Sequence, residues 1–244
     1  LSIRGLGFHR KNYSFPKDQI GCHRSFNDEV SAIRDLFPKF QDQSHMLGSI
    51  DSEHWVTYNA GFTTNDDDDV VMHLLCYDME NTSMFFQSAK NTAESVTKRL
   101  ELEKMICGDD KKTREEVLIH AHMFEPCGYS MNGLNGSKYV TVHVTPESHC
   151  SYASFETNCT KTSHVVLMKE ILRKLCPKRF TVVLHGKTTT SSDPTELKDV
   201  FVGKTAHYTR RSNHVSSTSL RRVCSVSHFY DSSVAGAESS TFMK

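Results

Sequence analysis

Residues 124–147 read FEPCGYSMNGLNGSKYVTVHVTPE, and the second half of this stretch decides the fold class. Val140, Val142 and Val144 alternate with Thr141, His143 and Thr145. That is the period of a β-strand with valines packed on one face and an imidazole between two threonines on the other. A strand apolar on one face only belongs to an antiparallel sheet. Gly128, Gly133, Gly136 and Pro146 punctuate the connections, and further β-rich runs flank the stretch at 117–124 and 151–156. CGYS at 127–130 reads as a turn that carries Cys127 and Ser130 to the edge of the sheet bearing His143. A thiol, a hydroxyl and an imidazole so close together are the parts of a nucleophile and base pair. The alternative reading of the same residues is a turn shaped by Ser130 and an imidazole hydrogen-bonded to its threonine neighbours.

Working outward, Thr162 and Ser163 offer a helix cap, Val165, Met168, Leu172 and Leu175 recur at helical spacing as far as Pro177, and a strand-like run follows at 180–185. Nearer the start, Ser25 caps a helix with Asp28 and Glu29 in its first turn and Phe26, Val30, Ile33 and Phe37 on one face, ended by Pro38. Short β-rich runs lie around Trp55 and at 70–77. Between them Asp66 to Asp69 read as a solvated loop, since four consecutive carboxylates cannot converge on one ion. Ala93, Val96 and Leu100 predict another helix, with a loop at 108–112. Beyond Lys187 the chain is rich in Ser, Thr and basic residues, with β-rich pieces near Val200 and Phe229. Lys204, Arg210, Arg211, Arg221 and Arg222 lack interleaved aromatics, so a solvated loop is expected there rather than a nucleic-acid surface.

The 244 residues carry 29 basic and 29 acidic side chains, so no global field draws the protein to nucleic acid or an anionic membrane. Hydrophobic residues make up 37%, and no run is long enough to span a bilayer, which predicts a soluble protein without a membrane partner. Eight cysteines without a Cys-x-x-Cys pair, behind no signal peptide, predict free thiols in a reducing, cytoplasmic compartment. The sequons at Asn12, Asn81, Asn135 and Asn158 read as chance matches in a Ser/Thr-rich chain. His120 and His122 share one strand face near Cys127 and His143, which would suit a metal-binding hydrolase, but no general base accompanies them and no metal site is expected. The chain starts at Leu1, inside what reads as ordered sequence, and is expected to be part of a longer one.

FEPCGYSMNG at 124–133, HVTPE at 143–147 and SYASFETN at 151–158 resemble the α-chain signature of eukaryotic S-adenosylmethionine decarboxylases. RKNY at 10–13, HRSF at 23–26, LFP at 36–38 and PKRF at 177–180 follow the same family in the same order. The similarity runs from Ser2 to about His185 and covers the tail loosely. It implies an α+β fold, an αββα sandwich of two antiparallel sheets flanked by helices and built from two related halves. Residues 1–244 would form one partial domain, 1–80 the remainder of the first half and 81–244 the second.

The activity so implied is decarboxylation of S-adenosylmethionine to the aminopropyl donor for spermidine and spermine. Family members are proenzymes that cut themselves at a Glu-Ser bond, turning the serine into a pyruvoyl group that forms a Schiff base with the substrate and serves as the electron sink. By resemblance Ser130 and His143 serve self-processing, Phe124 stacks on the adenine and Glu147 grips the ribose hydroxyls. The pyruvoyl-forming serine, a proton-donating cysteine and a second stacking aromatic are expected upstream of Leu1. Glu238 to Ser240 match the cleavage motif by coincidence on this reading. Implied partners are S-adenosylmethionine, the β-chain cleaved from the same proenzyme and a second copy in a homodimer. Glu156 matches an acidic residue of the family's putrescine activator site, where His73 and His185 replace a carboxylate and an aromatic, so putrescine stimulation should be weak or absent. A catalytically inactive paralogue acting as a regulatory subunit is the competing reading.

Overall fold

The computed structural model describes residue 3 and residues 5–61, 70–107, 117–159, 163–187, 197–202, 206–217 and 222–232. Asp66 to Asp69, the loop at 108–112 and Glu238 to Ser240 lie outside these residues. Two antiparallel sheets carry the architecture. The smaller has the order β1-β3-β2, from β1 (Gly5–Lys11), β2 (Gln41–Gly48) and β3 (His54–Gly61). The larger has nine strands in the order β10-β11-β12-β9-β4-β8-β7-β6-β5. They are β4 (Val71–Met79), β5 (Leu118–Met123), β6 (Tyr129–Asn135), β7 (Lys138–Thr145), β8 (Tyr152–Thr157), β9 (Pro177–Lys187), β10 (Asp199–Val202), β11 (Ala206–Ser217) and β12 (Arg222–Asp231). Helix α1 (Phe26–Leu36) lies on the small sheet, while α2 (Ala93–Leu100), α3 (Leu102–Cys107) and α4 (His164–Leu175) cover the far face of the large one.

Alternation of side chains across the strands explains the layering. In β4, Met72, Leu74 and Cys76 point to the helices, where they join Leu100, Ile106 and Met168 in the main core. Leu75 points the other way and meets Leu47 and Trp55 of the small sheet, with Val183 and Cys224, forming the layer between the sheets. The result is an αββα sandwich. The strand at 71–79, which precedes residue 81, stands in the middle of the large sheet, paired with β8 on one side and β9 on the other.

Local signals account for most helix ends. Ser25 Oγ accepts the Asp28 N–H at 3.1 Å, and the Phe37 N–H closes α1 on the Ile33 carbonyl. Glu29 on this helix is 3% exposed, yet its carboxylate is held by Arg10 of β1 at 2.6 Å and lies 3.0 Å from His23 Nδ1. This clamps α1 to the small sheet and offsets the desolvation of a buried charge. Helix α4 starts at His164 as the spacing predicts, but Ser163 makes no side-chain cap bond; its carbonyl simply accepts the first intrahelical N–H.

Three sequence expectations need correction. Gly133 is not in a connection: it lies within β6, where α3 sits so close that an added Cβ would collide with Ile106 Cδ1. Tyr129 and Ser130 likewise belong to β6, the turn being confined to residues before them. In the basic tail Lys204 and Arg221 lie outside the described residues, while Arg210 and Arg211 are not in a solvated loop but in β11, which pairs with β10 and β12 around a bulge between Arg210 and Ser212. Tyr208 anchors that strand, its buried hydroxyl donating to the Pro177 carbonyl at 2.8 Å.

Candidate functional site

The site begins with Tyr129. Its ring turns into the core beside Phe85, centroids 6.2 Å apart, and its hydroxyl shares a 2.7 Å hydrogen bond with Thr97 of α2. A strand alternates, so with Tyr129 inward the next residue, Ser130, must face the opposite side. In β7 the buried valines fix the same alternation and turn His143 outward. The β6–β7 hairpin turns at Gly136 (φ 61°) and sets its register so that Ser130 and His143 are directly opposed. Ser130 Oγ and His143 Nδ1 are 2.8 Å apart. The two residues are thus a hydrogen-bonded pair rather than a turn former and an imidazole bonded to its threonine neighbours.

The loop into β6 completes one wall. Its backbone is pinned by Gly128 N–H to the Phe85 carbonyl at 2.9 Å and Phe124 N–H to the Gly128 carbonyl at 3.0 Å. Phe124 remains 46% exposed, so its ring is available to a planar ligand. After β7, Pro146 and Glu147 form the opposite wall, and the Cys150 N–H bonds to the Glu147 carbonyl at 3.0 Å. Phe124, Cys127, Ser130, His143, Pro146 and Glu147 line a cleft open to solvent with about 500 Å³ of empty space. Glu147 Oε2 is buried with no hydrogen-bond partner among the described residues. A buried carboxylate oxygen without a donor is costly, and a ligand hydroxyl would relieve it. Burial, and then the charge of Glu147, pushes the Cys127 thiol up, which keeps it protonated and a poor nucleophile.

Phe124, Ser130, His143 and Glu147 therefore share one cleft. Glu156 does not join them. It lies on β8 opposite His73 of β4, where the Tyr139 hydroxyl donates to its Oε1 at 2.7 Å. Near it the sandwich holds three imidazoles: His9 Nε2 is 3.3 Å from His73 Nδ1, and His9 and His185 have ring centroids 6.2 Å apart. His185 Nε2 is hydrogen-bonded to Asn59 Oδ1. Sequence reasoning missed His9 in this cluster and also missed the ring contact of His122 with Phe124, centroids 4.7 Å apart at 77°. The alternation in HAHMF at 120–124 held the second signal, since it puts His122 and Phe124 on one face. Among the described residues no three His, Cys, Asp or Glu side chains converge to hold a metal ion. None of the described helices is long and apolar enough to cross a membrane, and the seven described cysteine thiols are free.

The family model for adenosylmethionine decarboxylase matches residues 1–229. An S-adenosylmethionine decarboxylase proenzyme of Dictyostelium discoideum is 33% identical over 192 residues, 77% of this chain and 48% of the relative. Its counterpart from Trypanosoma brucei brucei is 32% identical over 209 residues, 84% of this chain and 52% of the relative. The chain thus spans about half the length of the curated relatives it matches. A crystal structure of Trypanosoma brucei AdoMetDC-delta26 monomer shares the fold, with a TM-score of 0.61 and 24% identity over 94% of this chain and 85% of that one.

Proposed function

The chain belongs to the adenosylmethionine decarboxylase family, and we propose that it serves the decarboxylation of S-adenosylmethionine, providing the nucleoside-gripping and self-processing side of a pyruvoyl-dependent active site. The observation that carries this reading is the Ser130–His143 pair at 2.8 Å on the wall of a cleft that also holds an exposed aromatic and a buried, unpartnered carboxylate oxygen. A purine stacked on Phe124 would bring its ribose hydroxyls to Glu147, which accepts two hydrogen bonds as a carboxylate. The sulfonium next to the ribose would gain from the same aromatic face.

The residues present suit a pyruvoyl group: Ser130 and His143 would stand beside it, and Glu147 would hold the nucleoside. When bound, such a group supplies the electron sink that decarboxylation requires. Ser130 Oγ orients His143 through Nδ1, and the pair can hold or move a proton at the sheet face. The expected companions are the substrate, the β-chain from the same proenzyme and a second copy.

Expression of the coding sequence that contains this chain tests the reading. Release of CO2 from carboxyl-labelled S-adenosylmethionine is expected, with His143→Ala stalling self-cleavage in the mass spectrum. Calorimetric titration of the Leu1–Lys244 chain with nucleoside should show Glu147→Gln weakening binding by roughly tenfold to a hundredfold. A coding sequence that cleaves normally with alanine at 143, together with nucleoside affinity indifferent to Glu147, would sink the proposal.

A further inference from the structure

Phe124 is the exposed aromatic of the cleft, and whatever sets the tilt of its ring decides what it can stack against. Gly128 supports it from the loop, where an added Cβ would touch Phe124 Cβ and Cδ2 at 3.4 and 3.5 Å. His122 meets the ring edge to face, centroids 4.7 Å apart and planes at 77°. It reaches this place by register: on β5, His122 is directly opposite Ser130, which is itself opposite His143. The row His122, Ser130, His143 therefore runs across one face of three adjacent strands, with Phe124 following two residues after His122.

We propose that His122 is a positioning residue of the cleft: it holds the Phe124 ring at an angle that leaves one face open to a purine. The proposal rests on the nucleoside reading above. An edge-to-face aromatic pair is worth about threefold to tenfold in an equilibrium constant beyond the area it covers.

The experiment is calorimetric titration of the full chain with S-adenosylmethionine, a sulfonium, and with 5′-methylthioadenosine, its neutral thioether counterpart. His122→Ala and His122→Gln should weaken both ligands by about threefold to tenfold, and His122→Phe should restore the neutral one. The glutamine variant keeps a polar group at this edge position should the alanine variant unfold. If Phe124→Ala loses nucleoside while His122→Ala binds like wild type, or if His122→Phe fails to restore the thioether, the proposal is overturned. If the wild type binds neither nucleoside, the nucleoside reading itself fails and this inference falls with it.

Discussion

Replacing His9 by phenylalanine should flatten the acid side of the protein's stability curve. Burial is the main reason, with the charges of His73 and His185 adding to it, that His9 is lowered from 6.5 to about 3. In the folded state the ring is neutral at any pH above about 3, whereas the unfolded chain takes up a proton below about 6.5. The stability that depends on a neutral His9 is therefore complete above about 6.5 and drains away as pH falls towards about 3. At about pH 5 the unfolded state has gained nearly a full proton that the folded state refuses, a loss of about 2 kcal/mol from this residue alone. Phenylalanine keeps a ring beside Trp55 but leaves His73 without its partner, so absolute stability is not the readout. The readout is the difference between urea-unfolding free energies at about pH 7.5 and about pH 5, followed by circular dichroism. Wild type should lose about 2 kcal/mol more than His9→Phe over that interval. Equal losses in the two proteins would show that His9 is not held neutral between the sheets, and the reasoning would be wrong.

Other consequences of the structure are open to direct measurement. Gly133→Val should lower stability by about 1–3 kcal/mol, because its side chain must displace Ile106 of α3; an unchanged melting midpoint would contradict the close approach. Arg10→Ala should cost about 3–5 kcal/mol by leaving the Glu29 carboxylate buried without its guanidinium. Adding Glu29→Gln should recover part of that loss, and a double variant no better than the single one would remove the charge from the explanation. Putrescine should bind weakly, since Glu156 faces His73 rather than a second carboxylate and its Oε1 already accepts the Tyr139 hydroxyl; saturable heat at micromolar diamine, or several-fold activation at neutral pH, would refute this.

What the sequence reveals and what it hides follow from how each feature is built. The valine alternation of β7 is legible because one face is packed and the other open, and the Ser130–His143 pair because both residues sit in one hairpin. Strands β2 (QDQSHMLG) and β11 (AHYTRRSNHVSS) carry too few apolar residues to announce themselves, and form because neighbouring strands saturate their backbone groups. Of the imidazole cluster, the resemblance brings His73 and His185 together, but nothing points to His9. Its members come from β1, β4 and β9, in two different sheets, and the bonded pair His9 and His73 is separated by 64 residues. The sequon asparagines show the reverse case, a motif whose side chains have structural duties. Asn158 accepts the Tyr139 N–H and donates to the Ser137 carbonyl at 2.8 Å each, while Asn81 donates to the Lys174 carbonyl at 2.9 Å.

The position of β4 has a consequence for how the protein is made. VMHLLCYDM leaves the ribosome as one of the most apolar strands of the chain, but its two neighbours in the sheet are β8, ending at Thr157, and β9, ending at Lys187. At translation speeds of about 5–20 residues per second, β4 waits on the order of ten seconds before either partner exists. Its backbone donors and acceptors and both its apolar faces are exposed for that time, a template for pairing with a neighbouring nascent chain. Slowing synthesis between Met79 and Thr157 should lower the soluble yield, while slowing it after Asp231 should leave the yield unchanged.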